Sequence, residues 1–531
     1  MTDTPSHLQK DVLNRIPITG ALMLATLMNT LDSTIANVAL PKMQSSLSAS
    51  QEQLTWVLTS YILATAVMTP LSGWLAMKFG RKRMIGLSIA AFTIASMLCG
   101  VATSVEQMVL FRTLQGLAGA SMMPLSQSVM LDIYPQSMIP KVMSLWSAAV
   151  ILGPILGPTL GGWITENLSW RWVFFINLPL GIIATLAVTS LMADDPGGRQ
   201  RPFDTIGFAA LTAFVVGLQV MLDRGPGQDW WDSPEVWIEA GIALAGLWVF
   251  LVQSATSPNP FFHRDLAKDS NFVGTTVFSF FVGVLLFSTT ALLPVLMQSL
   301  LGYSAVHSGW VSMSRGVGSL ITFLLVPILI QSIGPRKMLF VGTTLSVVSL
   351  WAMAKFDLSM TEWPLVASGF VQGAGTGLLF APLSTLAYVT LSPIHRVEGT
   401  ILSTMARSLG SSVGISIVQA LVIRNSAVAH SELASRMDPS NPVLKNILPS
   451  QIDVSTPAGL AMMNGEITRQ SMMLGYIGVF AWMIIFILAM YPLIMILRPP
   501  PKAPMERIEA CLLYTSPSPR DRTRSRMPSS A

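Results

Sequence analysis

Gln115-Gly-Leu-Ala-Gly-Ala-Ser-Met-Met-Pro124-Leu-Ser126 returns, altered, as Gln372-Gly-Ala-Gly-Thr-Gly-Leu-Leu-Phe-Ala-Pro382-Leu-Ser384. The two copies lie 257 positions apart at the glutamine and 258 at the proline. Leu152-Gly153 returns as Leu409-Gly410, again 257 apart. Gly80-Arg-Lys returns as Gly334-Pro-Arg-Lys, 254 apart. Three pairs at nearly one offset describe two related halves. A parallel repeat of this kind in an apolar chain is a transporter architecture, with the substrate site at the interface between halves.

The chain around these marks is apolar. Of its 531 residues, 51% are hydrophobic and 11% charged, with a mean hydropathy of +0.58. A soluble domain carries about 25% charged residues. An ordinary soluble enzyme, a disordered chain and a disulfide scaffold are excluded, which leaves a polytopic membrane protein. The net charge is +5, and four arginines (Arg520, Arg522, Arg524, Arg526) fall in the last twelve residues. No basic patch suggests nucleic acid. The two cysteines, Cys99 and Cys511, and the five histidines have no ligand spacing. No phosphate loop or ATPase motif is present, so the reading is a protein without an enzyme site, cofactor or metal. Transport is then passive or driven by an ion gradient.

Residues 511–531, from Cys511-Leu-Leu-Tyr to Ala531, resemble the translation of a sequencing-library adaptor and are set aside. The alternative is a basic Ser/Pro-rich tail against anionic lipid.

A bilayer core takes about 20 apolar residues per helix. Fourteen spans qualify, at 16–39, 54–77, 84–102, 106–130, 142–164, 173–192, 205–222, 235–253, 271–293, 305–330, 338–354, 364–388, 399–422 and 473–497. One set of loop ends carries sixteen Lys and Arg, among them Lys78, Arg81, Lys82, Arg83, Arg336, Lys337 and Arg396. The opposite short loops carry four: Lys42, Arg171, Arg224 and Lys355. The positive-inside rule puts the basic ends and both termini in the cytoplasm. The expected organisation is a six-helix half at 1–192, two inserted helices at 193–270 and a second half at 271–510. Residues 424–470 form a long outer loop in this reading.

Four motifs carry a family resemblance over about 14–500. They are Leu31-Asp32-Ser-Thr-Ile-Ala-Asn37-Val-Ala-Leu-Pro41 in span 1, and Gly73-Trp-Leu-Ala-Met77-Lys-Phe-Gly80-Arg-Lys-Arg83 after span 2. Span 4 has Arg112-Thr-Leu-Gln115-Gly116, and span 5 has Gly153-Pro-Ile-Leu-Gly157-Pro-Thr-Leu-Gly161-Gly162. Trp170-Arg-Trp-Val-Phe-Phe-Ile-Asn177-Leu-Pro179 is also typical of the group. Together they resemble the 14-helix drug:proton antiporters of the major facilitator superfamily, the EmrB/QacA type. Met77 departs from that pattern, which has an Asp there, so the charge-relay role given to the loop is in doubt.

Asp32 lies about 10 Å from the outer end of span 1 and Arg112 about 9 Å into span 4, at 1.5 Å per residue. A charge inside a span costs about 2.5–3.5 kcal/mol on insertion scales, so it is paired or functional. The pair reads as the proton-coupling site, with a static ion pair between spans 1 and 4 as the alternative. Arg315 and Arg407 are further buried charges, and Leu58 and Val150 stand at their first-half equivalents. They read as functional, or as held by backbone carbonyls. Gly153, Gly157 and Gly161 repeat every four residues on one helix face. With Pro154, Pro158 and Gly162 they read as a tight seam between halves, or as plain packing. Gly73, Gly80, Arg81 and Arg83 read as a gating loop or a topology determinant. Trp56, Tyr61 and Gln115 are cavity candidates or packing residues. Trp170 and Trp172 belong to the outer aromatic belt.

The resemblance implies an all-α membrane protein of two six-helix halves plus two helices. It implies proton-coupled export of amphipathic drugs, cationic ones among them, across a bacterial inner membrane, with multidrug resistance as the phenotype. Partners would be substrate, protons, lipid and, in a Gram-negative host, a periplasmic adaptor and outer-membrane channel. A dedicated exporter of one metabolite or siderophore is the alternative, and a non-transporting receptor or scaffold a weaker one.

Overall fold

An apolar run in lipid has no water for its amides, so each must close its own hydrogen bonds, and each expected span is helical. The computed structural model describes residues 11, 14–49, 51–194, 202–228, 230–437 and 456–497; the expected adaptor segment 511–531 lies outside these. The first half comprises α1 (Arg15–Leu47), α2 (Gln51–Phe79), α3 (Arg81–Val101), α4 (Val105–Gly119), α5 (Met122–Ile133), α6 (Ile139–Asn167), α7 (Trp172–Phe175) and α8 (Asn177–Leu191). The inserted pair is α9 (Thr205–Arg224) and α10 (Pro234–Thr256). A short α11 (Asp265–Lys268) leads into α12 (Ser270–Ser299), α13 (Ala305–Ser332), α14 (Pro335–Met353), α15 (Glu362–Val389), α16 (Arg396–Arg436), α17 (Pro457–Leu488) and α18 (Met490–Ile496). No strand occurs among the described residues. Among the described residues, eleven helices are long and apolar enough to cross a membrane by length and composition. The count of fourteen is compatible with this arrangement, because every expected span falls on a helix or a helix pair.

Three spans are interrupted, each four residues before a proline. Proline has no N–H to give the carbonyl four residues back. Pro124 thus leaves Ala120 without a partner between α4 and α5, Pro179 leaves Phe175 at the end of α7, and Pro492 leaves Leu488 at the end of α17. Span 4 is therefore not continuous, as the sequence alone suggested. Pro154 and Pro158 lie inside α6 without ending it.

The expected outer loop 424–470 is also corrected. α16 runs on to Arg436, and α17 begins at Pro457. The two pack as an antiparallel pair, with His430 Nε2 3.0 Å from Asn464 Oδ1. Fourteen residues of α16, 423–436, lie beyond the expected span end, or about 21 Å of helix.

Helix pairings repeat between halves. α1 packs on α6 as α12 packs on α16, α2 on α4 as α13 on α15, and α3 on α8 as α14 on α17. Across the halves α6 meets α13 and α15, while α16 meets α2 and α5. α9 and α10 pack on one another, and α9 also reaches α2 and α16. At the tight turns into α3 and α14, Gly80 (φ 88°) and Gly334 (φ 81°) adopt a backbone that only glycine takes cheaply. Those loops share a sequence mark because they share this turn. Large apolar side chains on the flanks, such as Leu186, Trp248 and Leu324, are exposed, as expected where the solvent is hydrocarbon.

Candidate functional site

The first half buries one ion pair completely. Asp32 on α1 has no exposed surface, and Arg112 on α4 has 1%. Arg112 Nη1 donates to Asp32 Oδ2 at 2.8 Å. The other oxygen, Oδ1, accepts from Gln115 Nε2 at 2.9 Å and from Asn177 Nδ2 at 2.8 Å. The same Arg112 nitrogen also donates to Gln115 Oε1 at 2.9 Å. Asn177 in turn donates to Ser96 Oγ at 3.0 Å, and Ser96 donates to the Phe174 carbonyl at 2.9 Å. The carboxylate thus takes three donors from two helices, the arrangement a buried charge needs to persist. The guanidinium also lies 4.8 Å from the Phe174 ring and 5.3 Å from the Tyr61 ring, close enough for cation–π attraction.

Local sequence explains each position. Arg112 and Gln115 sit three apart on one helix, so both face α1. Asn177 opens α8, just after the α7–α8 break. The sequence placed Asp32 and Arg112 at matching depth but gave Gln115 only a place near a cavity. In the structure Gln115 is fully buried and holds Asp32. Sequence reasoning missed the roles of Asn177 and Ser96. A lone amide opening an apolar segment was the available signal.

The other candidates scatter. Tyr61 is buried under Arg112, its hydroxyl accepting from Asn29 Nδ2 at 3.4 Å. Trp56 is 44% exposed near the start of α2, away from this node. Arg315 donates to Thr290 Oγ1 at 2.7 Å, beside an apolar cavity that α6 lines with Ile155 and Pro158, and α12 with Leu293. Arg407 reaches across the halves to Met123 Sδ at 3.0 Å and lies near the Trp146 and Phe380 rings. Among the described residues neither arginine meets a carboxylate. Trp172 is exposed as a belt residue should be, but Trp170 is buried beneath the Arg171 guanidinium.

The glycine stripe of α6 is not a seam between halves. A Cβ at Gly153 or Gly157 would collide with Thr30 or Thr34 of α1, and one at Gly161 would press on Ile35. The stripe lets α1 and α6 touch within one half. Of these glycines Gly162 faces the other half, toward Val306 on α13, and Pro154 and Pro158 line the cavity shared with Arg315.

At the basic end, Arg81 and Arg396 converge on Asp132 of α5. Arg396 Nη1 lies 2.9 Å from Asp132 Oδ1, and Arg81 pairs with Oδ2. Gly73 meets Ile401 of α16 at the same end. Asp132 therefore joins its own half to α16. In the sequence Arg396 counted only as a loop charge, and Asp132 was not singled out.

The Major Facilitator Superfamily sequence profile matches residues 22–415. The multidrug export protein EmrB of Escherichia coli (strain K12) is 35% identical over 431 residues, 80% of this chain and 83% of that protein. The fatty acid resistance protein FarB of Neisseria gonorrhoeae is 34% identical over 500 residues, 91% of this chain and 96% of that one. Among solved structures, the human organic anion transporter MFSD10 superposes with a TM-score of 0.58 at 12% identity, covering 89% of this chain and 99% of its own, which shows a shared fold. The repeat, the helix pairings and these relatives agree: the chain belongs to the major facilitator superfamily, in its EmrB-type drug:proton antiporter family, and is a multi-pass inner-membrane transport protein.

Proposed function

We propose that this protein exports amphipathic drugs in exchange for protons, with Asp32 as the proton-carrying group. The observation that carries the reading is the buried Asp32–Arg112 pair of the first half, which has no counterpart among the described residues of the second. A proton taken by Asp32 cancels its charge and frees Arg112, which the Tyr61 and Phe174 rings still hold. Loss of the proton restores the pair. Each state favours a different packing of α1 against α4 and α8, and so couples proton binding to movement of the halves 1–192 and 271–510.

The basic ends face the cytoplasm in this reading, and Asp132 with Arg81 and Arg396 closes that side. Loading substrate from within requires this contact to open. The opposite, projecting ends of α16 and α17 are the surface for a periplasmic adaptor. Arg315 beside its apolar cavity supports amphipathic carboxylates as substrates besides neutral and cationic drugs, and the relative named for fatty acid resistance points the same way.

The test is drug-evoked proton movement in inverted vesicles, comparing wild type with Asp32→Asn. The panel should span lipophilic cations, neutral drugs and long-chain carboxylates. Loss of proton movement in Asp32→Asn, with the protein still in the membrane, is expected. Equal movement in both places the proton site elsewhere. No movement by the wild type with any compound rejects drug antiport.

A further inference from the structure

The segment joining the inserted pair to the second half crosses the basic end beside the start of α16. His263 and Asp265 belong to this segment, and His395 closes the short turn Pro393–His395 just before α16. The two imidazoles stack, with ring centres 4.5 Å apart and planes 31° from parallel. Asp265 Oδ2 lies 3.2 Å from His263 Nδ1 and 4.0 Å from His395 Nε2. One donor atom from each of the three residues falls within 4.8 Å of the others.

We propose that His263, Asp265 and His395 form a binding site for a divalent transition-metal ion of the zinc class. The proposal stands apart from the transport reading above. Two imidazoles and one carboxylate are a ligand set for zinc, nickel or cobalt rather than magnesium or calcium, which prefer oxygen. Bonds of about 2.0–2.1 Å in a tetrahedral site put ligand atoms about 3.3 Å apart. The His263–Asp265 spacing already meets that, and His395, now 4.0 Å from Asp265 Oδ2, must move in by about 1 to 1.5 Å to complete the set. His263 and Asp265 are about half exposed, so their side chains are free to close on an ion.

The hydrogen bonding favours a cation over a plain polar cluster. The backbone N–H of Asp265 donates to His263 Nδ1 at 3.3 Å. Asp265 Oδ2 lies 3.2 Å from the same nitrogen. Two lone-pair donors rest this close with a positive charge between them, a proton or a metal ion, and the ion must take the Nδ1 lone pair from the backbone N–H. The nearby cations are engaged elsewhere. Lys268 Nζ takes the other Asp265 oxygen, Oδ1, at 2.9 Å. Arg264 donates to the carbonyls of Ser254 and Ser257. Arg396 is paired with Asp132. The His263 backbone is fixed from the other side, its N–H donating to Glu398 Oε2 at 2.9 Å. A bound ion would therefore fasten the joining segment to α16, one residue from the contact with Asp132.

The test uses the full chain in detergent, carried on an affinity tag without histidines and stripped of metal. Zinc is titrated by calorimetry, with the melting temperature followed alongside, and cobalt by visible absorption. The expected result is one site per chain, a zinc-dependent rise in melting temperature and a tetrahedral cobalt band. His263→Ala and His395→Ala should each weaken binding at least about tenfold. His307→Ala, whose imidazole contacts Glu362 instead, should bind as the wild type does. Equal zinc binding by wild type and the His263→Ala/His395→Ala double variant would overturn the site. So would a wild type that gives neither zinc heat nor a tetrahedral cobalt band, a result that depends on no variant folding. A cluster held together by a proton gives that second outcome.

Discussion

The node around Asp32 has a counterpart in the second half, and the two differ in one respect that matters. At the repeat spacing of 257, Asp32 corresponds to Thr289, Gln115 to Gln372 and Arg112 to Gly369. Gln115 Nε2 donates to Asp32 Oδ1 at 2.9 Å, and Gln372 Nε2 donates to Thr289 Oγ1 at 3.0 Å. The backbone framework and the glutamine bridge are the same. The charges are not: the second copy has no carboxylate, and the guanidinium beside it, Arg315, comes from α13 and donates to Thr290. The glycine seams match as well. Gly153 and Gly157 let α6 touch α1, and Gly410 and Gly414 let α16 touch α12. A shared scaffold thus carries titratable chemistry in one half and a neutral hydrogen bond in the other. Packing is the common inheritance of both halves, and the ionisable site is a local addition to it.

The sharpest way to break this comparison is to exchange the two nodes. Asp32→Thr combined with Thr289→Asp moves the carboxylate away from Arg112 to the cavity that Arg315 lines in the second half. Leaving Arg112 buried and unpaired costs about 3–5 kcal/mol. The swapped protein should lose drug-evoked proton movement in vesicles. Retained movement would show that either half can host the proton, and would end the assignment to Asp32.

The seams should behave alike where the nodes do not. Gly157→Val drives a side chain into Thr34, and Gly414→Val drives one into the Val284 backbone. Overpacking costs about 1–3 kcal/mol, and more where backbone must shift. Melting temperatures in detergent should fall by similar amounts for the two variants. A large drop for one and none for the other would separate the halves structurally as well as chemically.

The smallest effect belongs to the neutral node. Thr289→Val keeps the shape but leaves the Gln372 amide without its acceptor, a loss of about 1–3 kcal/mol. Flux assays on this variant should stay close to wild type, against the loss expected for Asp32→Asn. A Thr289→Val protein that folds but carries no protons would place coupling in both nodes.

Much of this was legible in the chain because lipid removes choices. With no water for the amides, apolar length dictates helices, and every expected span is helical. Matching depth along α1 and α4 is simple arithmetic, so the meeting of Asp32 and Arg112 could be anticipated. Asn177 could not, since it lies 145 positions from Asp32 and its side-chain direction follows from the α7–α8 break. The helical length of residues 424–436 and 457–470 was hidden for another reason. Those stretches are too polar to read as spans, and helix pairing rather than apolarity sustains them. The face of the glycine stripe was also undetermined, because a repeat of four marks a close approach without naming the partner.

The sequence by itself determined the class, where the helical segments fall, the internal repeat and the presence of a charge that must be paired inside the membrane. These follow from composition and periodicity, which act locally. Only the tertiary structure decided which donors surround Asp32, that α6 spends its glycines on α1, and that Asp132 ties its half to α16. It also brought His263 and His395 into stacking contact. Those are relations between side chains far apart in the chain, and they are fixed when helix faces pack against one another.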